Sequence, residues 1–150
     1  MNQLELKIKL VEECRKQQQK VVDNLRQEIA ETQQSANDYG SPKDRYDSFR
    51  MQLLRKKDMF SQQLEKALAE FYALDKIDIK KPMNKGGFGS VVFLTDQKIF
   101  ISIGLGKIIL DDYVYYAVSV KVPISQAVIG KQKGDVIQFN GKTSEIVEVF

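Results

Sequence analysis

The 150-residue chain contains no histidine and only one cysteine. Without an imidazole it lacks the commonest general base near neutral pH, the serine and cysteine triads, and most zinc sites. The lone Cys14 excludes a disulfide within the chain and fits a reducing compartment. No apolar run approaches the roughly 18 residues of a membrane helix, and Met1–Leu10 lacks a signal-peptide core. The expectation is a cytoplasmic protein without membrane contact. A phosphate-binding loop is missing too: Gly86-Gly87-Phe88-Gly89 lacks the lysine and hydroxyl residue that would complete one. Chemistry in such a chain rests on carboxylates and a borrowed metal.

A strong excess of one charge is also absent. Residues 1–75 carry 13 basic and 13 acidic side chains, so the net +3 arises in residues 76–150. That surplus is too small to indicate duplex nucleic-acid binding, which needs several clustered phosphate contacts.

What the chain has instead is heptad periodicity. Leu4, Ile8, Val11, Val22, Leu25 and Ile29 recur in steps of three and four, as do Leu53, Phe60, Leu64, Ala67, Phe71 and Leu74. Between the two runs lies Asn37-Asp38-Tyr39-Gly40-Ser41-Pro42-Lys43-Asp44, a helix stop followed by a helix start. The pattern predicts an antiparallel coiled-coil hairpin over residues 1–75, folded about Gly40–Ser41. Each arm is roughly 33 residues, on the order of 50 Å long. In that register Ile29 meets Leu53, Val22 meets Phe60 and Val11 meets Phe71. Gln18 falls opposite Leu64, Arg50 beside Thr32 and Lys57 beside Leu25; such polar seam residues set register. Ser41-Pro42-Lys43-Asp44 has the composition of a helix cap, with proline at the first helical position.

Residues 76–89 read as a linker, broken at Lys80-Lys81-Pro82 and Lys85-Gly86-Gly87. From Ser90 the period changes to two. Val91–Leu94, Lys98–Ile103, Lys107–Leu110, Tyr113–Val120, Val136–Phe139 and Ser144–Val149 are expected strands. Pro123–Ile129 is an expected short helix, and Asn140-Gly141 a hairpin turn. The fold class is therefore α+β: a helical hairpin, then a small antiparallel β domain over residues 90–150 with one short helix.

These residues resemble a known family. Gly89-Ser90-Val91-Val92, Pro123-Ile124-Ser125-Gln126-Ala127-Val128-Ile129-Gly130-Lys131, Gly134-Asp135-Val136 and Glu145-Ile146-Val147-Glu148-Val149 follow the hairpin in the order found in Gre-type bacterial transcription elongation factors. The resemblance implies an FKBP-like globular domain that grips the rim of the RNA polymerase secondary channel, and a coiled-coil finger that enters it. Acidic residues at the finger tip then help the polymerase hold a second Mg²⁺ while the polymerase itself cleaves backtracked RNA. By this resemblance the chain is an accessory factor with no cofactor of its own, monomeric, and close to the nascent RNA 3′ end. Its tip acids would be Asp44, the candidate ligand of the shared Mg²⁺, with Asp38 and Asp47. Its rim contacts would be Lys121, Val122, Pro123 and Ile124.

The tip departs from the family pattern. The acid expected after the turn glycine is Ser41, and Lys43 and Arg45 add positive charge around Asp44, which opposes a bound cation. Three readings stay open: a cleavage-stimulating factor, a channel-binding regulator that does not cleave, and a coiled-coil adaptor or chaperone-like protein unrelated to polymerase. Prolyl isomerase activity would need an aromatic cavity, whereas Phe93, Phe100, Tyr113 and Tyr115 alternate as ordinary strand residues. Tyr116 and Phe139 are no better placed by sequence.

Overall fold

The computed structural model describes residues 2–40 and 47–150. Its elements are helix α1 (Gln3–Tyr39), helix α2 (Ser48–Ala73), a 3-10 turn (Leu74–Lys76) and strands β1 (Val91–Leu94), β2 (Lys98–Ser102), β3 (Gly106–Leu110) and β4 (Tyr113–Ser119). Helix α3 (Pro123–Val128) and strands β5 (Val136–Phe139) and β6 (Lys142–Val149) complete the chain. The architecture is the expected one, a helical hairpin followed by a sheet with one short helix. Two compact units divide it: Met1–Gln17 with Tyr72–Phe150, and Gln18–Phe71.

In the first unit six strands form one sheet in the order β3-β4-β2-β1-β6-β5. Alternation in β1 and β2 sends successive side chains to opposite faces, and both faces are apolar. Val91, Phe93 and Phe100 join one cluster, while Val92, Leu94, Ile99 and Ile101 join the other. A sheet whose centre is apolar on both sides needs a layer over each. The start of α1 supplies one with Leu6, Leu10, Val11 and Cys14, helped by Leu74. Helix α3 supplies the other with Ile124 and Val128.

This packing changes the seam at the start of α1. Leu4 is 47% exposed, and Leu6 and Leu10 are buried in its place. Those turns answer to the sheet rather than to a partner helix, so the heptad read from Leu4 does not hold there. The helix itself opens on Asn2, whose Oδ1 accepts the Glu5 N–H at 2.8 Å while its amide reaches back to Glu5 Oε1.

The sequence predicts an antiparallel sheet and the sheet is mostly so, but β2 and β4 run parallel, with Ile99 opposite Tyr116 and Ile101 opposite Val118. The chain leaves β2 through Ile103–Leu105, passes over one strand position, lays down β3 and returns as β4 into the gap. Two strand spacings are about 10 Å, which three extended residues can cover. Asp111 and Asp112, both at positive φ, turn β3 into β4; Asn140 and Gly141, also both positive, turn β5 into β6 as expected. At one end of the α1-covered face the Lys98 ammonium stands 4.4 Å from the Tyr113 ring centre and 4.9 Å from that of Phe93. The cation thus caps an aromatic group that the strands leave half open.

The segment before β1 is tied to the sheet domain at Gly86. Its N–H donates to the Lys131 carbonyl at 2.8 Å, and its own carbonyl accepts the Gly130 N–H at 2.9 Å. A Cβ on Gly86 would stand 2.2 Å from the Val128 carbonyl oxygen, so only glycine allows this approach.

In the second unit the α2 seam follows the expected positions: Leu53, Phe60, Leu64 and Phe71 are half-buried and Ala67 is buried. Along α1, Val22 is buried and Leu25 and Ile29 are half-buried, and the stripe continues through buried Thr32 and Ala36. The register differs from the expected one. Gln18, 2% exposed, donates to the Ala67 carbonyl at 2.9 Å rather than facing Leu64. The Lys57 ammonium meets Gln33 Oε1 instead of lying beside Leu25, and the Arg50 guanidinium meets the Gly40 carbonyl instead of lying beside Thr32. The cause is the position of the fold-back. With α1 ending at Tyr39 and α2 beginning at Ser48, the two described helices pair about a later midpoint than the expected register assumes, and Ser41 of the expected Gly40–Ser41 fold lies outside the described residues. Each residue moved at the centre shifts the facing pairs by two.

Two outcomes follow from this packing. Gly86→Ala should lower stability by about 3 kcal/mol, from overpacking against Val128 and weakening of the paired backbone bonds, as measured by thermal or urea unfolding. Burial pushes the Cys14 thiol up to about 12. Because the folded value lies above the unfolded one, this group's contribution to stability is complete below about pH 9 and is lost as pH rises toward 12. At pH 8 the native protein should resist a disulfide reagent that the urea-unfolded chain consumes at once; fast labelling of the native chain would contradict the burial of Cys14.

Candidate functional site

The described residues nearest the hairpin tip are α1's last turn and α2's first. Gly40, at φ +88°, stops α1 and donates its N–H to the Asn37 carbonyl at 3.1 Å. Asp47 caps α2: its Oδ1 accepts the Arg50 N–H at 3.2 Å and also the Tyr39 hydroxyl at 3.0 Å. Tyr39 in turn packs on Phe49, with ring centres 4.8 Å apart. One carboxylate therefore joins the two helix ends, and its charge faces the positive end of α2.

The three tip acids named from the sequence have separate settings. Asp47 is half-buried and engaged in capping. Asp38 is exposed on the last turn of α1 and accepts the Gln34 amide at 2.8 Å. Asp44 lies outside the described residues, as do Ser41, Pro42, Lys43 and Arg45. The cap of the described helix is Asp47, a role the sequence pattern assigned to Ser41. Among the described residues no group of three acidic or sulfur side chains is placed to hold a metal ion. Asp38 and Asp47 are held differently, the one accepting an amide along its own helix and the other capping α2 through Oδ1.

The second candidate surface is the entry to α3. Val122 is extended at φ −73° and ψ 153°, and Pro123 takes the first helical position. The turn is fixed from beneath by Ser125, buried, whose hydroxyl donates to the Ser119 carbonyl at 2.6 Å. The Gln126 amide likewise donates to the Val120 carbonyl at 2.5 Å. On this rigid base Lys121 and Pro123 are exposed and Val122 is half-buried. Ile124 is buried in the cluster under α3. The four residues of the sequence reading are thus divided, two outward and one into the core, with Val122 between.

Beside Ile124 the sheet opens into a cavity of about 410 Å³, lined also by Tyr116, Ile137, Phe139 and Asp96. Asp96 accepts the Ser144 hydroxyl at 3.2 Å. Nothing local groups Tyr116 with Phe139, since they come from β4 and β5 at opposite sides of the sheet order. The signal available was that Tyr115 and Tyr116 are adjacent in a strand and must point to opposite faces. Tyr115 joins the cluster under α1, and Tyr116 borders the cavity. By sequence alone both read as ordinary sheet residues.

No protein-family model matches the chain, and no curated protein matches it. Among solved structures the chain is similar to the transcription factor Gfh1, at 16% identity over 90% of this chain and 92% of that one, with a TM-score of 0.34. It is also similar to GreA factor homolog 1 (Gfh1) of Thermus thermophilus, at 18% identity over 91% of this chain and 94% of that one, with a TM-score of 0.35. Overlap at that level lends no weight to a particular activity.

The double use of Asp47 has a measurable consequence. Asp47→Ala should cost about 1 kcal/mol and speed hydrogen exchange of the amides at 48–51, while Asp38→Ala should stay within about 0.5 kcal/mol. Equal exchange in the two variants would show that Asp47 does not cap α2.

Proposed function

We propose that this chain is a Gre-like accessory factor that binds RNA polymerase through the secondary channel and modulates elongation. The reading is carried by the agreement between the family-like motifs and the elements they occupy. Gly89-Ser90-Val91-Val92 opens β1, where the Gly89 N–H bonds the Ile101 carbonyl and the Ser90 hydroxyl closes the turn on Gly87. Pro123–Val128 is α3, and Gly130 at positive φ is its exit. Gly134-Asp135-Val136 leads into β5, with the Gly134 N–H and the Asp135 carbonyl both bonded to Ile146. Glu145-Ile146-Val147-Glu148-Val149 is the body of β6, paired to β1 and β5. A helical hairpin precedes them all.

In this reading the hairpin enters the channel and the entry to α3 meets its rim, with Lys121 and Pro123 as the outward contacts and Val122 beside them. Asp44 is the carboxylate offered to a Mg²⁺ shared with the polymerase, and Asp38 is the second exposed acid of the tip. Any RNA cleavage belongs to the polymerase active site. A second reading, a channel-binding regulator without cleavage, is favoured by one observation. Ser41 has no carboxylate and Asp47 is held in a cap, so only Asp44 and Asp38 remain to receive a cation.

The test uses cognate RNA polymerase, backtracked on a transcript labelled at its 3′ end, with Mg²⁺. A factor that stimulates cleavage should release short 3′ fragments at least about tenfold faster, and Asp44→Ala should remove the gain. Competition with another channel-binding protein, without faster cleavage, would establish the regulator. Lys121→Glu should weaken that competition several-fold by reversing an exposed rim charge. Absence of both acceleration and competition would overturn the polymerase reading.

A further inference from the structure

A lysine with a largely covered side chain lines a cavity in the first unit. Lys7, on α1, is only 3% exposed as a residue, and among the described residues no hydrogen bond or ion pair meets its ammonium, which keeps its solvent contact at the cavity. It borders a cavity of about 300 Å³ formed between the first turns of α1, the segment after the 3-10 turn and the end of β6. Ile79, Met83 and Val149 give this cavity apolar walls, and Leu4 stands at its edge. The charged side chains lining it are Lys7, Lys80 and Lys81; no acidic side chain does so.

A lone ammonium in an apolar site is costly unless something pairs with it. Burial lowers the Lys7 pKa from the usual lysine value, and the charge of Asp78 works against that shift. Asp78 does not meet the ammonium directly. Its carboxylate instead accepts the Lys80 backbone N–H at 3.1 Å, which holds the segment in place. An anion entering the cavity would therefore meet a positive charge that no described carboxylate pairs directly.

We propose that this cavity binds a small amphipathic monocarboxylate, its carboxylate on the Lys7 ammonium and its alkyl or aryl body against Ile79, Met83 and Val149. One ammonium matches one negative charge, and a volume near the lower limit for ligand pockets suits a body of modest size. Lys80 and Lys81, both exposed, raise the local potential for an anion without entering the apolar part. The site is independent of the tip and of the α3 entry, so it stands or falls apart from the polymerase reading.

Isothermal titration of the full chain with sodium octanoate and with 1-octanol tests this. Octanoate should bind saturably at one per chain, with octanol about tenfold weaker or more, because it lacks the charge that Lys7 recognises. Lys7→Met should weaken octanoate about tenfold or more and raise Tm, since the substitution removes a partly desolvated charge. Lys7→Arg should retain affinity within about threefold. Met83→Trp, which fills the cavity and leaves Lys7 in place, should also abolish binding. Equal affinity for octanol, unchanged octanoate binding by Lys7→Met or Met83→Trp, or no saturable binding by the parent chain would each overturn the proposal.

Discussion

The sheet's central strands are apolar on both faces, and most of the first unit follows from that. Val91, Val92, Ile99, Phe100 and Ile101 are all fully buried, so β1 and β2 cannot rest with either side in water. At roughly 25 cal/mol per Å² of apolar surface removed from water, covering a central strand outweighs the local preferences of the segments that cover it. The first turns of α1 are drawn onto one face and α3 onto the other. This fixes where α3 begins, and with it the exposed pair Lys121 and Pro123. The same demand keeps Gly86 a glycine, because the chain entering β1 must pass against the backbone at the end of α3.

The second unit has a smaller apolar stripe and uses polar groups to settle register. Its buried Gln18 is satisfied by the Ala67 carbonyl across the pair, and its buried Thr32 by the Glu28 carbonyl one turn back. A seam residue bonded across a helix pair favours one alignment, because any slip leaves a buried amide without its acceptor. At the tip, Asp47 takes both the α2 cap and the Tyr39 hydroxyl, so its contribution is to the shape of the tip. That arrangement separates the acids by task, and it is the physical basis for weighing a regulator against a cleavage factor.

Much of the molecule was legible because its signals are local. The period-two runs gave six strands whose ends lie within two residues of the expected ones, and Asn140-Gly141 turned as its dihedral tolerance requires. Pro123 and Gly130 marked α3 for similar reasons. The parallel β2–β4 pair was not legible, since strand order depends on where a connection travels and not on what a strand contains. The hairpin register failed for a comparable reason: heptads repeat every seven residues and fit several alignments, and the true one depends on how many residues the turn takes up. The α3-side cavity was missed because Tyr116 and Phe139 are brought together only by the sheet order.

The sequence by itself determined the elements, their order, and the chemistry denied to a chain without histidine, because propensity, periodicity and residue type act over a few residues. Tertiary structure alone decided which face of each element is covered, which carboxylate serves as a cap, and which lysine is drawn under cover at the edge of a cavity. Those are outcomes of competition among distant segments for the same apolar surface and the same hydrogen-bond acceptors. No window of sequence contains both competitors.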